Sequence, residues 1–501
     1  MNLLEEDANV SSPLLSSESF STGNTFDRGD GSQFGTNRDG SSSARLRAES
    51  LPFVRANWTD SPQTQKMGWS ALCFLTFFNV CGGPIGSEEI FSSAGPFVGI
   101  VGIFVFVLFW AIPMILVTAE LSSVYPNDGG YSIWTAEAFG PFMGWAVCAA
   151  SACSGIIDTA IYPVMAYDTT MKLLKIAPLS FVESYVTKLI LVVLFAVPNL
   201  FMNTDFGRWM TGLAVFVVLP FVVSCVYLLV TRSSDMDPSQ LLRVDSSASS
   251  EDWANLISVL YWNFSGFDAA STCAGEVRDP ARSYPRGLAA ALVLIIVTYL
   301  LPLSVFGMIN EPKWSTWEEG SLSLITETQV GSWMGIWVMV SGFAANMGMY
   351  AAEIFEDSWQ LYGMACKGLM PSPLASRYGE DGPPYVAVLF ALAGISAIIL
   401  LDFNSIVVIT NFYSCLTALI ELMAFLKLRV TEPDLKRPFK VPIDNVSLLA
   451  LWMVLPMSIG AFILASSLFA SSLSVIINTG VLILGVLLYQ FMDAKGHIQY
   501  N

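Results

Sequence analysis

Histidine is almost absent from this chain of 501 residues, in which the one example is His497. This scarcity excludes most imidazole-based acid–base catalysis and most histidine metal sites. The eight cysteines lie in or beside apolar segments without metal-ligand spacing, so we expect small buried side chains rather than disulfides or metal ligands. We also find no nucleophile–base set and no cofactor-binding loop. The sequence therefore predicts neither an enzyme nor a protein with a bound cofactor or metal.

Charged residues are also scarce, at 13% of the chain, whereas 54% is hydrophobic. Soluble proteins contain about 25% charged residues. The formal net charge is −17, but much of the excess acid lies in the N-terminal segment and in polar loops. No basic face is available for nucleic acid, so a nucleic-acid partner is not expected. The recurring apolar runs are long enough to cross about 30 Å of hydrocarbon, which predicts insertion in a lipid bilayer.

The hydropathy pattern predicts an all-α polytopic membrane protein with three parts. Residues 1–66 are rich in Ser, Gly, Asn, Asp and Arg and are predicted to be a disordered tail. A transmembrane domain follows at 67–492, and 493–501 forms a short C-terminal tail. If the join at 400–403 is not a turn, eleven spans replace twelve. The twelve predicted spans are 67–93, 95–122, 141–169, 184–202, 207–230, 253–273, 286–309, 331–361, 384–401, 403–428, 446–470 and 473–492.

The distribution of lysine and arginine predicts the orientation of these spans. With the N-terminus inside, 18 of the 24 basic residues fall in cytoplasmic segments, as the positive-inside rule requires. The loops at 274–286 and 427–442 carry most of this signal. We therefore expect both termini to be cytoplasmic.

Two predicted spans are interrupted in the middle. The first contains Gly82, Gly83, Pro84 and Gly86, and the sixth contains NFSGFDAAST at 263–272. Glycine permits non-helical dihedral angles, and proline cannot donate a backbone hydrogen bond. Non-helical backbone at membrane depth is tolerated where it lines a cavity or is covered by protein. Paired breaks in the two halves of the chain predict a transporter with its binding site near the bilayer midplane.

Acidic residues lie in or near the apolar spans without basic partners inside those spans. Because a buried charge is costly, such carboxylates are expected to take up protons or to bind a mobile cation. Capping of the second half-helix is the alternative role for Glu88 and Glu89, and Glu421 is better explained as a tie between helices, with Asn411 or a serine. The residues proposed to bind substrate are Glu88, Glu89, Asp158, Asp268 and Glu353, with Asp158 and Glu353 also proposed for proton coupling.

Aromatic and small residues surround the same positions. Tyr162 follows Asp158 by about one helical turn, and Trp262 and Phe267 flank the second break. Aromatic faces beside a break are suited to stack on an ammonium group. The further residues expected around the substrate are therefore Tyr162, Trp262, Ser265, Gly266, Phe267, Gly82, Gly83 and Gly86.

Six stretches in collinear order resemble the amino acid–polyamine–organocation superfamily, and most of all its eukaryotic polyamine uptake transporters and L-type amino acid transporter-like members. This resemblance implies a LeuT-like fold of two inverted five-helix repeats, about 67–230 and 253–428, plus two further helices. It also implies proton-coupled uptake. Phe267 stands where many members have a tryptophan, which alters the aromatic wall of the site. The stretches are GGPIGSEEIFSSAGP (82–96), ELSSVYPNDGGYSIW (120–134), SGIIDTAIYPV (154–164), GFDAASTCAGEVRDP (266–280), NMGMYAAEIFEDSWQLYGMACKGLMP (346–371) and NFYSCLTALIELMAFLKLR (411–429).

These observations together predict a secondary active transporter that imports polyamines such as putrescine or spermidine, by proton symport with alternating access. A carrier of neutral or cationic amino acids is the alternative within the superfamily. A nutrient sensor that binds without transport, or a subunit paired with a single-span partner, is the alternative of another class. The plasma membrane is the expected location, and an endomembrane is the alternative.

Overall fold

The computed structural model of the protein describes most of the predicted membrane domain. The described residues all belong to one compact unit. The predicted tail at 1–66, the join at 400–402 and the last residues of the C-terminal segment lie outside the described part of the chain. The described ranges are 67–174, 179–202, 205–379, 382–399, 403–469 and 472–498.

Within these ranges the chain is mostly helical, and β pairing is limited to two isolated bridges, Met67 with Val277 and Asp128 with Cys273. A π-helical turn at Val107–Ala111 joins the third helix to the fourth. In chain order the α-helices are Trp69–Val80 (α1), Glu89–Ser92 (α2), Pro96–Phe106 (α3), Ile112–Val124 (α4), Gly130–Phe139 (α5), Pro141–Thr159 (α6), Ile161–Leu174 (α7), Phe181–Phe201 (α8), Phe206–Thr231 (α9), Ser250–Asn263 (α10), Pro280–Ile309 (α11), Ser321–Gln329 (α12), Ser332–Cys366 (α13), Tyr385–Ile398 (α14), Phe403–Thr431 (α15), Val446–Leu468 (α16) and Ser472–Ala494 (α17).

Several of these helices are long and apolar enough to cross a membrane. In addition, α1 and α14 are apolar but shorter. The fold is therefore that of an integral, multi-pass, all-helical membrane protein. The seven long apolar stretches among the described residues are Pro96–Val124, Pro141–Met171, Phe181–Phe201, Phe206–Thr231, Pro280–Ile309, Val446–Leu468 and Ser474–Ala494.

The structure shows both predicted breaks and two further short helices that the sequence did not predict. The first predicted span is two helices, α1 and α2, separated by irregular backbone. The sixth predicted span is α-helical only in α10. After the break it continues as two 3₁₀ turns, Ala269–Thr272 and Ala274–Glu276. The short helices α5 and α12 lie between predicted spans, where the apolar-run criterion expected no helix.

Helix starts follow from local sequence. Pro96, Pro141 and Pro280 each occupy the first turn of α3, α6 and α11, where the missing N–H costs nothing and the fixed φ suits the helix. Gly95 and Gly140 precede two of these prolines with φ of 96° and 98°, in the region that favours glycine. Such turns reverse the chain abruptly at the ends of the apolar helices.

The central helices form the core of the bundle. α13, with 35 residues, is the longest helix and is buried along most of its length. It packs against α6, α7 and α9, whereas α1 packs against α9 and α11, and α15 packs against α6 and α16. This arrangement places the interrupted helix α1 beside α13, and the Tyr261 and Ser258 side chains of α10 contact α15.

Candidate binding site

The two helix breaks have the backbone geometry that their glycines permit. Between α1 and α2, Gly82, Gly83 and Gly86 have φ of 59°, 144° and 96°. After α10, Gly266 has φ of 98°. These values lie in or near regions that side chains with a Cβ rarely enter. Both helices therefore stop in the interior of the protein and expose backbone groups there.

The breaks also meet in space. The Tyr299 hydroxyl lies 3.4 Å from the carbonyl oxygens of both Val80 and Asn263, the last residues of α1 and α10. A Cβ added at Gly266 would lie 2.7 Å from the carbonyl oxygen of Asn79, which is too close for any side chain. The carbonyl ends of the two half-helices thus converge on one region.

A cavity of about 110 Å³ lies at this convergence. We call it the central cavity. It is bounded by the two breaks and by residues of α5, α6, α7, α10, α13 and α15. Among the described residues that line it there is no lysine or arginine, whereas five side chains carry carboxyl groups. These are Asp158, Asp268, Glu353, Glu356 and Asp357.

The carboxyl groups have few hydrogen-bond donors. The Tyr162 hydroxyl donates to Asp158 Oδ2 at 3.4 Å, and the Asn79 amide donates to Glu356 Oε1. Asp158 Oδ1 and Asp357 Oδ2 are buried without a hydrogen-bond partner among the described residues. Buried polar atoms normally have partners, so these oxygens leave room for donors supplied by a ligand.

The cavity brings together most of the residues that the sequence selected. Gly82 and Gly83 line a neighbouring cavity instead, and Phe267 is buried beside a void of about 10 Å³ behind the second break. Gly86 faces the Trp262 ring, which lies 3.1 Å from the position of an added Cβ. Of the selected residues, those that line the central cavity are Asp158, Tyr162, Trp262, Ser265, Gly266, Asp268 and Glu353.

The structure places the two glutamates after the first break elsewhere. Glu88 is fully buried, and its Oε2 accepts a 2.6 Å hydrogen bond from the Gly86 amide. Its Oε1 accepts from the amides of Gly320 and Leu322 at 3.0 and 3.4 Å, at the start of α12. Its carboxyl group therefore ties the break to α12, and does not line the central cavity.

Glu89 also points away from the cavity. Its Oε2 accepts a 2.9 Å hydrogen bond from the Asn255 amide on α10, and the side chain is partly exposed. The contact joins α2 to α10, one half-helix from each break. Within the described structure this glutamate therefore holds helices together at the periphery of the site.

Two carboxylates of the cavity, Glu356 and Asp357, were missed by sequence reasoning. They follow Glu353 by three and four residues on α13, and such spacing places side chains on one helix face. The stretch EIFEDS at 353–358 contains all three acidic residues, but only Glu353 was selected from the sequence. Asp357 packs so closely on Gly155 of α6 that a Cβ there would overlap both carboxyl oxygens.

A second cavity of about 390 Å³, the outer cavity, adjoins the central one. Trp262 and Met349 line both and separate them. Asp168, Glu319 and Glu327 line the outer cavity, where they are exposed, and no lysine or arginine is among its described lining residues. The approach from this side is therefore acidic as well.

Charged groups pair at one end of the bundle, where the connections α4–α5, α10–α11 and α13–α14 meet. Arg377 forms a 3.1 Å ion pair with Glu276 and lies 4.7 Å above the Trp359 ring. Asp128 Oδ1 accepts a 2.9 Å hydrogen bond from the Gly275 amide. Burial first, and then the Glu276 carboxylate, raise the pKa of Asp128 to about 8. We call this group the basic-end cluster, because the charge distribution predicts this end to be cytoplasmic.

Comparison with known proteins agrees with this architecture. A family model described as amino acid permease matches residues 67–492, which is nearly the whole described chain. The protein therefore belongs to the amino acid permease family of the amino acid–polyamine–organocation superfamily, and the resemblance seen in the sequence is confirmed. Membership identifies the class as a membrane transporter.

Three relatives of this chain have names that describe polyamine transporters. A probable polyamine transporter of Arabidopsis thaliana is 31% identical, covering 91% of this chain and 90% of the relative. Polyamine transporter PUT1 of Oryza sativa subsp. japonica is 32% identical over 86% of this chain and 79% of its own length. Polyamine transporter RMV1 of Arabidopsis thaliana is 33% identical over 76% of each chain.

Proposed function

We propose that this protein is a secondary active transporter that imports polyamines by proton symport. The observation that carries the proposal is the central cavity, with five carboxyl groups and no basic side chain among its described lining residues. A linear polyamine presents two or more ammonium groups separated by methylene chains. Such a molecule supplies both the charges and the hydrogen-bond donors that this cavity lacks.

The electrostatic argument is one of compensation. Removing a carboxylate from water costs several kcal/mol unless an opposite charge and hydrogen bonds replace the solvent. The described residues that line the cavity supply no cation. The ionised carboxylates therefore have their lowest free energy when mobile cations occupy the cavity. Protons and ammonium groups both meet that need. Competition between protons and ammonium groups for the same carboxylates is a physical basis for coupling. We assign this coupling to Asp158 and Glu353, which line the central cavity together with Tyr162.

The two breaks add to the preference for cations. The carbonyl ends of α1 and α10 meet at the cavity, and the C-terminal end of a helix carries a partial negative charge. Trp262, Tyr162 and Tyr261 line the same cavity and offer ring faces of the kind that attract ammonium groups. Charge, dipole and aromatic contacts thus favour the same class of ligand.

The site favours an amine over an amino acid for a further reason. Carriers of this architecture hold an anionic substrate group at backbone N–H groups of a broken helix. Here the Gly86 amide already donates to Glu88 at 2.6 Å, and Pro84 has no N–H to offer. A substrate carboxylate would also face the carboxylates of the cavity. Two alternatives remain for the experiment below to exclude: transport of amino acids, and binding of a ligand without transport.

We also propose the layout that the resemblance implies: twelve spans, with inverted repeats at about 67–230 and 253–428. In this layout, α1–α2, α3–α4, α10 and α11 move against the remaining helices to open the cavity alternately to the two sides. The basic-end cluster closes the cytoplasmic path, and the outer cavity leads to the other side. Both termini are then cytoplasmic, with the plasma membrane as the expected location and an endomembrane as the alternative.

The test is uptake of labelled putrescine, spermidine, leucine and arginine into proteoliposomes that contain the purified full chain. We expect saturable polyamine uptake that an inward proton gradient drives and that amino acids do not inhibit. Asp268→Asn should abolish most of this uptake, because Asp268 lies at the second break. Leucine uptake that polyamines do not inhibit would refute the assignment, as would polyamine binding without any uptake.

A further inference from the structure

Glu421 of α15 is the most thoroughly buried carboxyl group near the central cavity that the proposed function does not use. Its exposed fraction is 0%, and neither of its oxygens has a hydrogen-bond donor among the described residues. The tie to Asn411 that the sequence suggested is absent, because the Asn411 amide donates to Ser258 at 3.4 Å. Its polar neighbour is instead the Asp268 carboxyl group. Glu421 lies about one helical turn after Thr417, which lines the central cavity together with Asp268, and Ala418 and Asp268 border the same void of about 10 Å³.

The environment of Glu421 determines which of the two carboxyl groups holds a proton. Two adjacent carboxylates in a buried site cannot both remain ionised. Asp268 is half-buried and lines the central cavity, where an ammonium group can reach it. Glu421 has no such access and no cation beside it. The cost of ionisation is therefore higher at Glu421, and the shared proton resides there.

We propose that Glu421 stays protonated and donates an O–H hydrogen bond to Asp268. This inference rests on the proposed function. In this role Glu421 is a positioning residue: it keeps Asp268 ionised and fixes the direction of its free oxygen toward the substrate. A neutral carboxylic acid that acts as a hydrogen-bond donor in an apolar site is an established arrangement in proteins.

The other charges near this pair do not replace Glu421 in that role. Tyr131 of α5 and Glu353 and Glu356 of α13 line the central cavity together with Asp268, and both glutamates add negative charge. Arg429 lies two turns further along α15, but it is paired with Glu120 at 2.6 Å. The packed helix α16 carries no ionisable side chain, and the acid of α17, Asp493, lies at its far end.

The experiment compares Glu421→Gln with Glu421→Ala in proteoliposomes that contain the full chain, with labelled spermidine as the substrate. The Gln side chain keeps a donor of similar size but no ionisable proton, so we expect KM and proton-driven accumulation within about twofold of the unaltered protein. The Ala variant loses the donor, and KM should rise about tenfold or more, since hydrogen bonds to charged groups are worth at least that factor. In a protein that already carries Asp268→Asn, Glu421→Ala should raise KM little further, because the two side chains act as one unit.

Each contrary result has a distinct meaning. If Glu421→Gln abolishes proton-driven accumulation but keeps spermidine exchange, the proton leaves Glu421 during transport and the proposal is wrong. An unchanged KM in Glu421→Ala also overturns it. Should the Ala variant fail to fold, the pH profile of KM in Glu421→Gln still decides, because a permanently protonated Glu421 predicts the same profile as the unaltered protein. Absence of any polyamine uptake by the unaltered protein would instead refute the proposed function itself.

Discussion

The protein contains two kinds of buried carboxylate, and they differ in their partners. Glu120, at the end of α4, is fully buried and forms ion pairs with Arg429 at 2.6 Å and Arg437 at 3.0 Å. The Val441 amide adds a further hydrogen bond of 2.7 Å. The five carboxyl groups of the central cavity have no basic side chain among their described neighbours in the lining. The same functional group is thus paired with arginine in one region and has no basic partner in the described lining of the other.

This difference separates structural carboxylates from those available for binding. Three donors converge on Glu120 and hold the segment that contains Val441 against α4. A fixed arginine in the central cavity would satisfy the carboxylates equally well but would also prevent a substrate cation from binding. The absence of such a residue from the described lining is therefore the feature that a cation carrier requires.

The largest expected effect is the loss of the structural ion pair. Glu120→Gln leaves Arg429 and Arg437 without a carboxylate in a buried position, and breaking a buried pair costs about 3–5 kcal/mol. We expect a marked drop in melting temperature of the purified protein in detergent. Glu432→Gln, at an exposed position on the following segment, is the matched control. Equal stability of the two variants would show that the pairing of Glu120 contributes nothing.

The second effect concerns ligand affinity rather than folding. Asp158→Asn removes a cavity carboxylate that accepts from Tyr162, and loss of one charge from a charge-assisted contact costs about 2 kcal/mol or more. We therefore expect KM for spermidine to rise at least about 30-fold while the melting temperature without substrate is kept. Asp205→Asn, which removes a pair with Arg208 at the exposed surface, should change neither quantity. A fall in stability without a change in KM would mean that Asp158 is structural.

A smaller effect is expected from crowding. Gly155→Ala places a methyl group where the Asp357 carboxyl group now packs, so Asp357 must turn away from α6. We predict about a tenfold rise in KM, equivalent to about 1.4 kcal/mol. Gly212→Ala, at a helical glycine with nothing within 4 Å of an added Cβ, is the control. If the two alanine variants transport alike, the position of Asp357 does not matter for binding.

The smallest effect has the opposite sign from the first. Glu356→Gln keeps an oxygen for the Asn79 amide but removes one of several neighbouring like charges. We expect the protein without substrate to become more stable by about 1 kcal/mol, as measured by thermal unfolding, while spermidine affinity falls. Destabilisation by this substitution would contradict the view that the central cavity is under electrostatic strain when it contains no ligand.

The sequence predicted those features that depend on local pattern. Hydropathy located the apolar helices within a few residues, and the glycines located both breaks, because long apolar runs and positive φ angles leave direct marks in composition. Asp158, Asp268 and Glu353 were selected because charges inside apolar runs are conspicuous. These residues line one cavity in the structure.

Features that depend on contacts distant in sequence were not predictable. The capping role weighed for Glu88 concerned its own half-helix, yet two of the amides that it binds are more than 230 residues away. Glu356 and Asp357 share a helix face with Glu353, but only the packing of α13 against α6 decides that this face is the cavity. Likewise, the pairing of Glu120 with Arg429 depends on the fold of a distant loop.

The Tyr299 hydroxyl between the two half-helices has a mechanical consequence. It has one hydrogen atom and lies 3.4 Å from each of two carbonyl oxygens, those of Val80 and Asn263. A single donor cannot form a short bond with both, so a movement that brings one oxygen closer weakens the bond to the other. The two interrupted helices thus compete for one hydrogen atom, and displacement of either helix changes the hydrogen bond to the other.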